Sequence, residues 1–316
     1  MSLSAYFGSL SVANLLSRMP AAAAQGMIWG LMALGVFITF RVLDIADLTV
    51  DGSFATGGAV TVMLLLAGWP SWAALLAAFA AGVLTGLVTG LLHTKLGIPA
   101  ILAGILTQFS LYSINLRIMT KANQTASIKK FGMFWEGPKG FLLSSLYVPQ
   151  AIAVGFVLAV VAICLLYWYF GTEQGSAMRA TGSNPAMSRA QGIHIETMKV
   201  IGLGLSNGMV ALAGGLMTQY QGTADVSMGR GAIVIGLAVI IIGEVLCDAI
   251  FTKGCNFAIR LLFVVFGGVI YYAVMVIILW LKLDPNDLKL FTAIIVAIFL
   301  AVPHLQAQAK SSFAHL

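Results

Sequence analysis

GTEQGSAMRATGSNPAMSRAQGIHIE, residues 171–196, is a polar, glycine-punctuated island between two long apolar runs, 148–170 and 199–220. Each run has about the twenty apolar residues needed to cross a bilayer. Two short helices can be read inside the island. Thr172 can cap the first, over 173–181, and Gly182 can end it in a left-handed conformation. Ser183 or Asn184 can cap a second, with Pro185 at its first position and Gly192 at its stop. Helices of about seven residues do not persist alone in water. They must be held by packing, on the membrane domain or on a partner. By local composition the island also reads as an ordinary loop with good caps.

Working outward, the 316 residues are 60% hydrophobic and only 9% charged, with a mean hydropathy of +0.98. A soluble domain carries roughly 25% charge. So apolar a chain cannot cover a water-facing surface, and the composition indicates an integral membrane protein. The net charge of +6 does not point to nucleic acid, because the basic residues stand singly in loops and at span ends, where they meet headgroups. Cys164, Cys247 and Cys255 lie in or near apolar runs without metal spacing and read as buried thiols. No basic segment followed by an apolar core and a small-residue cleavage site opens the chain, so no cleaved signal peptide is expected.

Taken in order, residues 3–18 suggest an interfacial helix and 21–40 a first span. Next comes RVLDIADLTVDGSF, 41–54, with Asp44, Asp47 and Asp51 inside eight positions. A carboxylate at a membrane-helix centre costs about 2.5–3.5 kcal/mol on insertion scales. Asp44 and Asp47 therefore read as caps at the water boundary, while the Asp51-Gly-Ser segment can enter a protein-lined cavity, where broken helix is tolerated. Thr49, Asp51, Ser53 and Thr56 are candidates for a translocation path. The span over 71–93 repeats glycine at 82, 86 and 90, a stripe for close helix packing. The span over 98–119 holds Gln108 and Asn115 seven apart, on one face, as path candidates or as interhelical hydrogen-bonding groups. Residues 120–147 are a long loop, either plain or a docking surface. Asn207 and Gln219 are the polar positions of the next span and join the path candidates. Further spans cover 231–247, 257–281 and 290–303, which makes about nine. Glu244 reads as a boundary or paired residue. The fold class is an all-α, polytopic transmembrane bundle in one domain, 1–316, with some broken helices.

Asp47-Leu-Thr-Val and Asp225-Val-Ser-Met share the order acid, aliphatic, hydroxyl, apolar, and a glycine follows eleven positions after each acid, at 58 and 236. These motifs open the second and seventh of the nine spans, on opposite sides of the membrane. That is the arrangement of an inverted-topology repeat, with a site at the repeat interface. Four matching positions are also compatible with coincidence.

The order MRATGSNP, 178–185, followed by RAQGI, 189–193, resembles the cytoplasmic coupling loop of ATP-binding-cassette (ABC) importer permeases of the branched-chain amino acid and ribose class. RVLDIADLTVDGSF, with HTKLGIPAILAGILT at 93–107, is similar to the branch that handles tryptophan and tyrosine. The likeness runs from about residue 25 to the last spans. It implies a multi-pass permease of the bacterial inner membrane with a coupling loop at 171–198. Arg179, Thr181, Asn184, Pro185, Arg189 and Gly192 would shape the contact with a partner ATPase. It further implies an extracytoplasmic solute-binding protein and a second permease copy. ATP and Mg would be held by the ATPase and no cofactor by this chain. The substrate would be an amino acid, aromatic ones favoured, with a sugar or nucleoside as the alternative. An ion-coupled secondary transporter of inverted-repeat geometry is the competing class, and a non-transporting scaffold a third. Basic residues split eight to nine between the two sides, so charge does not orient the chain; only the resemblance places the island in the cytoplasm. No phosphate-binding loop, nucleophile elbow, zinc motif or dinucleotide fingerprint occurs, so an enzyme active site is not expected.

Overall fold

The computed structural model describes residues 12–126, 132–133, 140–251, 255–280 and positions 290, 293, 294, 297 and 301. Among these, eight helices are long and apolar enough to cross a membrane. The first, α1 (Val12–Phe37), runs through Pro20 and continues as a π-helical turn, Ile38–Val42. No separate interfacial helix precedes it in the described part, because residues 12–18 belong to α1; residues 3–11 lie outside the described residues. A break follows at 43–48, with Asp44 at φ 53°. Then come α2 (Thr49–Leu66), α3 (Ser71–Thr94) and α4 (Ala100–Met119). Next are the short strand β1 (Asn123–Thr125) and α5 (Val148–Gly171). The island forms α6 (Glu173–Ser183) and α7 (Pro185–Ala190). The chain continues as α8 (Ile195–Gln221), β2 (Thr223–Asp225), α9 (Ala232–Ile250) and α10 (Phe257–Trp280). The ninth expected span, 290–303, falls almost wholly outside the described residues.

The organising helix is α8. It is buried over most of its length and packs on α1, α2 and α3. Lipid tails are as apolar as leucine, so membrane helices associate through close backbone packing rather than hydrophobic exclusion. The glycine stripe of α3 does this. A Cβ on Gly82 or Gly86 would run into the carbonyls of Asn207 and Leu203. On α2 a Cβ at Gly57 would meet Ala211, and on α8 one at Gly214 would meet Phe54. The outer faces of α4 and α5 present Leu102, Phe109, Phe156, Leu165 and Trp168 to the surroundings.

The direction of each helix follows from these contacts. Ser53 meets Asn207, Gly57 meets Ala211 and Gly215 meets Thr61, so α2 runs parallel to α8. Gly35 of α1 meets Ser206 while Gln25 meets Tyr220, so α1 runs against α8. Gly30 faces Val265, and Gly267 faces Val239, which sets α10 against α1 and α9 along it. Hence α9 runs opposite to α2. At the far side from the island, β1 and β2 pair antiparallel with Asn123 opposite Asp225.

Three expectations are corrected here. Gly182 does not end α6 in a left-handed turn; it stays helical and α6 runs to Ser183, because Gly182 is used for close approach to Val42. Cys247 and Cys255 are joined in a disulfide rather than standing as separate buried thiols. Cys164 is exposed on the outer face of α5. Of the long loop, Lys129, Lys130, Lys139 and residues 135–138 lie outside the described residues.

Candidate functional site

The island is built as its caps dictate. Thr172 Oγ1 accepts from the Gly175 N–H at 3.3 Å and starts α6. Asn184 Oδ1 accepts from the Met187 N–H at 3.1 Å and starts α7, with Pro185 at its first position. Gly192 adopts φ 86° beyond α7, a conformation glycine takes without steric cost. Asn184, Pro185, Met187, Arg189 and Gly192 are exposed. Thr181 is buried and donates to the Ala177 carbonyl at 2.8 Å. Arg179 donates to the Phe170 carbonyl at 2.8 Å and lies 5.9 Å from the Phe257 ring centre. One side of the hairpin is thus anchored and the other is free. Its anchor on the bundle is Gly182, whose Cα sits where a Cβ would collide with the carbonyl of Val42, the last residue of the π-helical turn.

From Val42 the chain passes through the break into α2. Ser53, near the start of α2, meets Asn207, which stands about half-way along the 27-residue α8. The break therefore lies at membrane depth. Irregular backbone survives there only when protein surrounds it, and Ile45 and Asp47 are buried. Asp47 Oδ1 accepts from the Thr49 N–H at 2.9 Å, and Oδ2 accepts from Asn207 Nδ2 at 2.7 Å. Asp47 is thus not at the water boundary, as a simple cap would be; hydrogen bonds replace the lost hydration. Around it Ser53 donates to Asn207 Oδ1 at 2.7 Å and meets Thr85 at 2.7 Å. Thr49 meets Thr89 at 2.8 Å, and Thr89 donates to Thr107 at 2.9 Å. One polar network ties α2, α3, α4 and α8 together at the break.

The second motif behaves like the first. Asp225 Oδ1 accepts from the Ser227 N–H at 2.6 Å, the same two-residue turn that Asp47 makes with Thr49. The helices they open, α2 and α9, run in opposite directions and meet at their N-termini. Asp51, in the first turn of α2, accepts from the Gly231 N–H at 2.9 Å and the Ile233 N–H at 3.0 Å. A carboxylate from the helix that follows the first motif therefore caps the positive end of the helix that follows the second. Gly229 lets the two backbones touch, since its Cβ would collide with the Asp51 carbonyl.

Beside this junction is a cavity of about 310 Å³, lined by Asp51, Gln108, Phe109, Tyr112, Asn115 and Arg230, among others. Of the eight polar residues expected on a path, Asp51, Gln108 and Asn115 meet here. Thr49, Ser53 and Asn207 sit in the buried network. Thr56 donates to the Gly52 carbonyl at 2.9 Å and lines a separate groove between α3 and α4. Gln219 receives the Leu142 N–H at 3.1 Å near the far end of α8. Sequence reasoning missed Tyr112 and Arg230. Tyr112 completes an i, i+4, i+7 stripe with Gln108 and Asn115 and was findable. Arg230 carries no local signal, since only the turn after β2 brings it to α4. Glu244 pairs with Arg41 at 2.6 Å.

The family model described as branched-chain amino acid transport system / permease component matches residues 19–303. A tyrosine transport system permease protein of Clostridioides difficile is 37% identical over 294 residues, 92% of this chain and 93% of that protein. An uncharacterised protein of Rickettsia prowazekii is 34% identical over 288 residues, 89% of this chain and 95% of that one. A probable branched-chain amino acid transport permease of Methanocaldococcus jannaschii is 28% identical over 231 residues, 66% of this chain and 70% of that one. No solved structure matches the chain.

Proposed function

Because this chain belongs to the branched-chain amino acid transport permease family, we propose that it imports an amino acid, aromatic ones favoured, and that its α6–α7 hairpin receives the driving force. Membership makes it a multi-pass transport subunit of the bacterial inner membrane, the permease of an ABC importer working with an ATPase and a substrate-binding protein. The preference for an aromatic solute rests on the relative that transports tyrosine.

The observation that carries the coupling reading is the seating of Gly182 on the Val42 carbonyl. The exposed edge of the hairpin, with Asn184, Pro185, Arg189 and Gly192, docks on the ATPase, while Arg179 and Thr181 hold its other edge in place. ATP and Mg are bound by the ATPase, and this chain needs no cofactor. When the ATPases close, α6 pushes the π-helical turn. The non-helical break at 43–48 passes the displacement to α2, and Asp51 passes it to α9. The two repeats then rock about their shared junction and open the cavity alternately to each side. A second copy of the chain covers α4, whose exposed Ser110, Ser113 and Arg117 are too polar to face lipid.

The test is reconstitution in proteoliposomes with a candidate ATPase subunit and a loaded binding protein. ATP-dependent uptake of labelled tyrosine or tryptophan, with ribose as the control solute, supports this reading. Uptake that needs no ATPase and vanishes with an ion gradient would refute it.

A further inference from the structure

We propose that the permease itself reads its solute: the cavity beside Asp51 is a selectivity site in which Arg230 takes the carboxylate of an amino acid and Asn115 takes its ammonium group. This deepens the reading above and rests on it. Asn115 is 1% exposed, and neither its Oδ1 nor its Nδ2 has a partner among the described residues. An orphaned buried amide is costly and calls for something that completes it. Asn115 lines the cavity, so a guest there can complete it.

The charges in the wall select the guest. Asp51 receives two backbone N–H groups from the start of α9, one on each oxygen, and is held as the negative group of the wall. Arg230 lines the same cavity, is exposed, and forms no ion pair with a carboxylate among the described residues. With a positive Arg230 and a negative Asp51 on the same wall, the site matches a guest that carries both charges, and a guanidinium is the best-matched donor to its carboxylate. The Asn115 and Gln108 amide oxygens are free to accept from an ammonium group. Phe109 and Tyr112 stand on the same wall, 72% and 45% exposed, and offer ring faces to an apolar or aromatic body. The volume lies at the small end of the range for small-molecule sites, roughly 300–1,000 Å³. A zwitterion with one planar side chain meets Arg230 with its carboxylate, Asn115 Oδ1 with its ammonium group and the two aromatic residues with its body.

The test uses the complete permease–ATPase complex in proteoliposomes, with saturating loaded binding protein, so that capture outside the membrane is held constant. Asn115→Leu and Arg230→Glu are each expected to lower ATP-dependent tyrosine uptake by roughly ten- to a hundredfold. ATP hydrolysis by the complex should stay close to wild type, and Phe156→Leu, on the outer face of α5 and away from the cavity, should transport normally. In the purified complex with Cys164 replaced by serine, added tyrosine should protect a cysteine placed at Tyr112, on the cavity wall, from thiol labelling, and tyramine, which lacks the carboxylate, should not. Wild-type uptake by both cavity variants would overturn the proposal. So would loss of uptake together with loss of hydrolysis and of thermal stability, which would mark Asn115 as structural. If the wild-type complex itself shows no ATP-dependent amino acid uptake, the underlying reading fails first, and the two failures are distinct.

Discussion

Arg41 and Glu244 form a two-pronged ion pair that fastens the hairpin-side ends of α1 and α9, with Nε to Oε1 at 2.7 Å and Nη2 to Oε2 at 2.6 Å. Glu244 is almost buried, with an 11% exposed side chain, whereas that of Arg41 is 51% exposed. The two partners therefore respond differently to removal. Arg41→Ala strands a buried carboxylate and should cost about 1–2 kcal/mol, a figure already lowered for the solvent screening at Arg41. Glu244→Ala leaves only a half-exposed cation and should cost less. Thermal melts of the two variants in detergent would check the order, and the reversed pair Arg41→Glu with Glu244→Arg should recover part of the loss.

Arg189 stands at the exposed end of α7. Replacing it by glutamate should leave the fold intact and lower ATP-driven uptake by roughly tenfold or more, because a reversed charge at an interface repels the partner that the native charge attracts. Uptake and hydrolysis measured together would show hydrolysis detached from transport. Normal uptake by this variant would count against the docking role of the hairpin.

Gly182 should tolerate no side chain. Alanine there meets the Val42 carbonyl, and valine meets it harder. Either must lift α6 from the π-helical turn. The expected outcome is a complex that still binds the ATPase but transports poorly, with Gly182→Val worse than Gly182→Ala. Equal transport by all three proteins would break the proposed route of force through Val42.

Asp51→Ala uncaps α9 and should destabilise the protein by about 1–2 kcal/mol. Asp51→Asn keeps one acceptor oxygen and should lose roughly half as much. Hydrogen exchange at the Ile233 amide, which Asp51 now protects, should quicken in the same order.

The glycines divide by surroundings rather than by spacing. Gly86→Ala drives a methyl into the Leu203 backbone and should cost about 1–3 kcal/mol through overpacking. Gly171 has nothing within 4 Å of where its Cβ would stand. Gly171→Ala should therefore lie within about 0.5 kcal/mol of wild type. Detergent melts of this pair separate packing from backbone freedom.

Much of this molecule is legible in the residue order because its determinants are local. Runs of apolar residues at membrane length mark the eight described spans, and caps such as Thr172 and Asn184 act within three residues of themselves. The Asp47 and Asp225 turns are likewise local, which is why four positions sufficed to suggest the repeat. Asp47 itself was misplaced at the water boundary. Its burial depends on Asn207, 160 residues away, and no window of sequence contains both. The polar residues of α2 and α4 could be nominated for a path but not sorted. Whether a serine or threonine lines a cavity or joins a buried network is set by which helix stands opposite.

The sequence by itself determined that the chain crosses the membrane repeatedly, about where its spans lie, and that a capped polar hairpin interrupts them. Hydrophobic length and capping are properties of contiguous residues and need no partner to be read. Only the tertiary structure decided that Asp51 caps α9, that Gly182 rests on Val42, and that Arg230 shares a cavity with Asn115. Each of these joins residues far apart in the chain, and what brings them together is the close backbone packing around α8, a three-dimensional fact that no one-dimensional pattern carries.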